Sequence, residues 1–244
     1  MRTIKLTIAY DGTDYAGWQI QPDRATVQSV LEEAIERVTG QASRTLASGR
    51  TDAGVHALGQ VVGFRTDSDL ACDTLVRALN ANLPEDIAVL DAEEVADGFH
   101  PIGDAVRKRY RYVIHDAPIR DVFYRRYAWH CRYQLDVEPM AQAAEMLLGK
   151  HDFSSFESTG APRESSVRTI TDISVVRHGD RIEIEVEADG FLYNMVRAIV
   201  GTLVEIGRGS MDPGWMHQVL SAQERKAAGP TAPPEGLFLV KVDY

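Results

Sequence analysis

From residue 181 to 187 the chain reads Arg-Ile-Glu-Ile-Glu-Val-Glu, so Ile182, Ile184 and Val186 alternate strictly with Glu183, Glu185 and Glu187. A period of two puts the apolar residues on one face of a strand and the acids on the other, which suits a half-buried sheet. His178-Gly179-Asp180 precedes this run, and residues 167–177 are β-rich, so the two predict an antiparallel hairpin.

Elsewhere the period lengthens. In the first half, residues 3–10 are β-like. Thr26 is placed to cap a helix whose apolar positions Val27, Val30, Leu31, Ala34, Ile35 and Val38 follow the i, i+3, i+4 spacing, with Gly40 as its stop. A short strand over 44–48, a strand over 60–66, a helix near 73–81 and a strand over 87–95 follow. Asp97-Gly98 and the turn chemistry of 101–103 mark a boundary, giving halves of 1–101 and 102–244. The second half repeats the order: strands over 105–115 and 127–133, a helix from an Asp136 cap to Gly149, the hairpin, an amphipathic helix over 192–206, and a short helix at 215–222 opened by Pro213. A proline-rich loop precedes the closing strand. Hairpins mixed with helices predict an α+β fold, with helices packed on largely antiparallel sheet.

Composition excludes several classes. With 244 residues, 44% of them hydrophobic and 25% charged, the chain has ordinary globular values. No apolar run reaches the roughly 18 residues of a membrane-spanning helix. Residues 1–6 enter a strand pattern at once, which predicts no secretory leader. Cys72 and Cys131 are too few and too isolated for a disulfide framework or a zinc site, and the seven histidines lack metal-ligand spacing. We therefore expect no metal, and a reducing cytoplasm. No Walker-type loop or G-x-G-x-x-G occurs.

The net charge of −10 should on average repel a polyanion. Residues 107–132 are the local exception. They hold eight Lys or Arg against Asp116 and Asp121, interleaved with Tyr110, Tyr112, Phe123, Tyr124, Tyr127 and Trp129. Such a mixture suits phosphates and unstacked bases. The same composition also describes a solvated strand face above a buried aromatic one.

Residues 49–56, Gly-Arg-Thr-Asp-Ala-Gly-Val-His, set one carboxylate between two glycines. Glycine lets the backbone turn sharply or approach a ligand, and an extended backbone would put Arg50 and Asp52 on one side. A plain turn, with Asp52 bonding its own backbone, is the competing reading.

This string resembles the signature of the TruA family of tRNA pseudouridine synthases. Four further segments match in order: residues 10–19 (Tyr-Asp-Gly-Thr-Asp-Tyr-Ala-Gly-Trp-Gln), Arg109-Tyr110-Arg111-Tyr112, residues 191–201 around Arg197, and Glu235-Gly236-Leu237-Phe238-Leu239. Together they span residues 4–243.

The resemblance implies two related α/β halves with an active-site cleft between them. It implies isomerisation of uridine at positions 38, 39 and 40 of the anticodon arm of tRNA, by a homodimer without a cofactor. Pseudouridine formation breaks an N-glycosidic bond, turns the base and rejoins it through carbon. That chemistry asks for an ionised carboxylate at the sugar, a site that excludes water, and a way to remove the C5 proton. A carboxylate can act there covalently or as a base. By resemblance Asp52 is that carboxylate and Arg197 its partner. An Arg beside an Asp keeps the acid ionised, depressing its pKa by about 1–3 units. Tyr110 matches the family's active-site tyrosine, suited to stacking on uracil or relaying a proton. Leu237 resembles the apolar wall under the base. Arg50, Asp11, Gln19, Arg107, Lys108 and Arg111 are expected RNA contacts, and His56 an anchor of its loop. The chain departs from the family at Pro101-Ile102-Gly103-Asp104, where Ala-Arg is common, and the loop 157–166 is left unassigned.

Two rivals remain from the residues alone. A non-catalytic RNA-binding module leaves Asp52 and Arg197 idle. A glycoside hydrolase needs a second acid about 5–9.5 Å from the first, with Asp14, Glu157 and Asp189 the available ones.

Overall fold

The computed structural model describes residues 1–158 and 165–244. Its elements run β1 (Arg2–Tyr10), α1 (Val27–Thr39), β2 (Leu46–Ala47), β3 (His56–Thr66), α2 (Cys72–Asn82), β4 (Ile87–Val95), β5 (Arg107–His115), β6 (Trp129–His130), α3 (Val137–Glu145), β7 (Gly149–Asp152), β8 (Val167–His178), β9 (Arg181–Ala188), α4 (Met195–Gly207), α5 (Trp215–Ala222) and β10 (Leu237–Asp243). Part of the expected loop 157–166 lies outside the described residues.

The chain divides into two compact units, Met1–Val106 with Phe238–Tyr244, and Arg107–Leu237. The expected division after residue 101 thus moves to 106, and the closing strand sits with the first unit. The reason is pairing: β10 runs parallel to β3, with Phe238 opposite His56 and Leu239 opposite Ala57.

In the first unit the strand order is β4-β1-β3-β10, with β2 on β3. β1 pairs antiparallel with both β3 and β4. Ile4, Leu6 and Ile8 of β1 are fully buried, as the period of two demands. α1 starts where Thr26 accepts from the Ser29 N–H and Ser29 returns the bond in a capping box, and it ends at Gly40 in a left-handed conformation. A cap of this kind is worth about 1 kcal/mol. Its apolar stripe, Val27, Leu31, Ala34 and Ile35, is buried.

The second unit has the order β5-β9-β8-β7, antiparallel throughout, with the short β6 parallel to β5. The predicted hairpin is present as β8–β9, and Ile182, Ile184 and Val186 are fully buried. The strand expected over 127–133 shrinks to the two residues of β6. α4 differs more. All but Arg197 and Glu205 of its thirteen residues are buried, so its apolar face is wide and its polar edge narrow. It also begins at Met195, because Asn194 takes φ +61° and breaks the helical run. Gly201 makes the burial of α4 possible, since a Cβ there would collide with the Pro230 carbonyl.

Candidate active site

Asp52 stands on a loop whose backbone is clamped from several sides. Thr51 is buried, with its hydroxyl 2.8 Å from the Tyr10 hydroxyl. The Thr51 carbonyl accepts from Trp18 N at 3.0 Å, and the Asp52 carbonyl accepts from Val55 N at 3.1 Å. Gly17, at φ +90°, lies directly behind: a Cβ would come within 2.7 Å of the Thr51 oxygen and 3.1 Å of the Asp52 carbonyl carbon. Before the loop, Gln60 accepts from Ser48 Oγ at 2.6 Å and donates to the Gly49 carbonyl at 2.8 Å. The bland reading of a self-bonded turn accounts for the Asp52–Val55 contact. It does not account for a buried tyrosine and a left-handed glycine braced against the same two residues. Burial pushes the Tyr10 hydroxyl up to about 12, against the pull of Thr51 and Gln60, so Tyr10 is a neutral strut.

His56 closes the loop. Its ring stacks on Phe238 with centroids 4.7 Å apart. Nδ1 lies 3.0 Å from Gly12 N and 3.2 Å from Asp11 Oδ1. A backbone N–H only donates, so in the bond from Gly12 Nδ1 accepts, and the Asp11 carboxylate lies beside it. Asp11 itself accepts from Thr13 N (3.0 Å) and Thr13 Oγ1 (2.6 Å), which makes it a turn-former. Gln19 and Arg50 are exposed, and Arg50 makes no salt bridge among the described residues.

The other expected site residues belong to the second unit. Along β5, Lys108, Tyr110, Tyr112 and Ile114 face Ala188, Val186, Ile184 and Ile182 of β9. Tyr112 is fully buried and its hydroxyl donates to the Pro233 carbonyl at 2.7 Å. Burial first, and then the charge of Glu235, raise its pKa well above the ordinary value. Tyr110 is only half-buried and meets Phe191 edge-on at 4.9 Å. Of the two tyrosines, therefore, Tyr112 is the core strut and Tyr110 the less buried one.

Arg197 is fixed by its own neighbourhood. Nε donates to the Ala232 carbonyl (2.7 Å) and Nη1 to Asn194 Oδ1 (2.9 Å), while Ala232 N donates to the Arg197 carbonyl (3.0 Å). Gly236 packs so closely on Tyr112 that a Cβ would come within 2.7 Å of the ring. The segment from Ala232 to Gly236 thus ties α4 to β5 and delivers Leu237, which is buried. Asn194 was missed by sequence reasoning. The available signal was an Asn directly before a long apolar helix, since Asn enters the left-handed region more readily than most residues.

The expected basic window divides by face. Arg109 bonds Glu187 (2.9 Å) and Glu185 (3.0 Å), and Arg111 bonds Glu185 at 2.7 Å. Arg107 reaches Glu187 at 3.5 Å, a looser contact. The Arg109 hydrogen bond holds Glu187 below its usual range. Desolvation pushes Glu185 the other way, yet bonds from Arg111 and Arg109 bring it down as well. The expectation of a single basic surface over 107–132 is corrected to this extent: the odd positions of β5 meet the acids of β9. Asp116, counted against the window, is buried in a bidentate pair with Arg177 (2.7 and 2.9 Å).

As for the rival acids, Glu157 accepts from Ser166 Oγ and Asp189 from Thr169 N, both in the second unit, while Asp14 is exposed in the first. No group of three or more His, Cys, Asp or Glu among the described residues is arranged to hold a metal.

Residues 6–102 and 143–244 match the profile of a family described as tRNA pseudouridine synthase. Proteins named tRNA pseudouridine synthase A are similar over the whole of both chains. Those of Moorella thermoacetica, Brevibacillus brevis and Thermoanaerobacter sp. (strain X514) are 50%, 48% and 45% identical, respectively.

Proposed function

The chain belongs to the tRNA pseudouridine synthase family, and on that premise we propose that it modifies uridines 38, 39 and 40 of the anticodon arm with Asp52 as its catalytic carboxylate. It is an isomerase that turns uridine in tRNA into pseudouridine. The observation that supports Asp52 is the clamped backbone of residues 51 and 52, braced by Tyr10, Trp18 and Gly17. A carboxylate that must meet one sugar carbon gains rate from a backbone held in place beforehand.

Arg197 is Asp52's partner and keeps it ionised. Its bonds to Ala232 and Asn194 support the role, because they fix the guanidinium in place. Tyr110 receives the uracil ring and Leu237 forms its apolar wall. Neighbouring uridines on one arm imply recognition by backbone shape, with the target base taken out of the stack. The enzyme acts as a homodimer in the cytoplasm. No helix among the described residues is long and apolar enough to cross a membrane.

The test is position-resolved mapping of pseudouridine in unmodified tRNA transcripts incubated with purified protein. Pseudouridine confined to positions 38–40 is the expected result. Modification elsewhere, with these positions untouched, would overturn the site assignment.

A further inference from the structure

α4 opens against the usual rules of a helix start. Its N-cap is Asn194, a residue type whose side chain commonly accepts from the second or third N–H of the helix, yet no such bond forms here. Asn194 instead takes φ +61° and ψ +9°, the left-handed region that most L-residues enter only at a cost. The first turn then carries Arg197 and no acid, although the positive end of a helix favours anions over cations. Departures of this kind, gathered at one point of a chain that is otherwise locally consistent, mark positions held for function.

The left-handed turn redirects the amide. Arg197 Nη1 meets it at 2.9 Å, and a guanidinium only donates, so the atom that faces it is Oδ1. Nδ2 is thereby turned to Ser158, donating to Oγ at 3.1 Å. Ser158 is tied to the same turn through its backbone, its N–H donating to the Tyr193 carbonyl at 3.0 Å. The Asn194 carbonyl still accepts from Ala198 N at 2.9 Å, so the helix begins there while the side chain serves elsewhere. Along the guanidinium, Nε donates to the Ala232 carbonyl at 2.7 Å. These two acceptors are neutral. They fix the direction of the guanidinium without offsetting its charge, as a carboxylate in either place would.

We propose that Asn194 is a positioning residue for the reaction: its side chain forgoes capping α4 and aims Arg197, with Ser158 as its anchor. The proposal rests on the reading of Arg197 as the partner of Asp52.

The test is kcat, KM and the pH–rate profile on a tRNA transcript, beside thermal melts, for wild type, Asn194→Gly, Asn194→Asp, Ser158→Ala and Arg197→Gln. Glycine keeps the left-handed backbone and removes the amide. Asn194→Gly should therefore lower kcat about ten- to a hundredfold, the worth of a hydrogen bond to a charged group, with KM within a few-fold and the melting temperature close to wild type. Asn194→Asp keeps an acceptor in place and sets a charge beside Arg197. It should move the acid limb of the profile to higher pH, because the arginine then holds Asp52 less firmly ionised. Ser158→Ala should lower kcat only a few-fold. If Asn194→Gly lowers the melting temperature, the acid limb of Asn194→Asp carries the test by itself. Wild-type kcat in a stable Asn194→Gly, a loss confined to KM, or an unmoved acid limb in Asn194→Asp, with Arg197→Gln impaired, would overturn the positioning role. A wild-type rate in Arg197→Gln would instead overturn the reading of Arg197 on which the proposal rests.

Discussion

The two faces of β5 carry similar sequence and opposite surroundings. Arg107, Arg109 and Arg111 project toward Glu183, Glu185 and Glu187, and a ladder of ion pairs joins the strands. Lys108, Tyr110 and Tyr112 project toward the apolar side of β9, where the aromatic rings meet Phe191 and Trp129. A count of charges along the chain treats the four cations alike. The pleat separates them, so that three face the carboxylates of β9 while the fourth stands opposite Ala188 on the other face. Positive charge counted along a strand therefore does not by itself indicate a nucleic-acid surface, because the pleat divides it between two faces.

The comparison breaks most visibly at the two tyrosines. Tyr112→Ala removes a fully buried ring and its bond to Pro233, and should cost about 3–5 kcal/mol of stability. Tyr110→Phe should leave the melting temperature close to wild type while lowering turnover. Thermal melts and initial rates on the two variants check this. A stability loss at Tyr110 equal to that at Tyr112 would erase the distinction between strut and site.

The odd face makes a smaller prediction, in acid. Glu187 and Glu185 have folded pKa values below their unfolded ones. Their stabilisation is thus complete above the unfolded carboxylate value, about 4.3, and is lost as pH falls through the folded values. Arg109→Gln should cost about 0.5–1 kcal/mol near pH 7, since the pairs are partly solvated and screened. It should also flatten the decline in melting temperature below about pH 4.5. A variant as acid-sensitive as wild type would mean that the ladder adds no stability.

The smallest effect expected is an absence. Replacing Arg107 and Arg111 together by Gln should leave the salt slope of tRNA binding nearly unchanged, because Glu185 and Glu187 already meet these charges. A slope shallower by more than about 1 would show that the arginines leave the ladder for RNA.

These differences mark where the sequence was legible. The hairpin β8–β9 and the α1 cap were readable because their signals are local: a period of two, and Thr26 directly before an apolar stripe that starts at Val27. The Asp52 loop was readable as a motif, but its bracing was not, because Gly17, Tyr10 and Gln60 come from residues distant along the chain. The partners of Arg109 and Arg111 were hidden for the same reason, some 74 to 78 residues away. The late start of α4 turned on the conformation of a single residue, Asn194. The placement of β10 in the first unit turned on a parallel pairing with β3, which no local pattern announces.

Catalysis is assigned above all to Asp52. Its most direct test is pseudouridine formation in tRNA by Asp52→Asn, measured beside tRNA affinity and thermal stability. The amide keeps the shape of the side chain and removes its charge, and binding rests on phosphates and backbone shape. Isomerisation should fall by at least about a thousandfold, with affinity within a few-fold of wild type and an unchanged melting temperature. Turnover near the wild-type rate would contradict the assignment of Asp52 as the catalytic carboxylate.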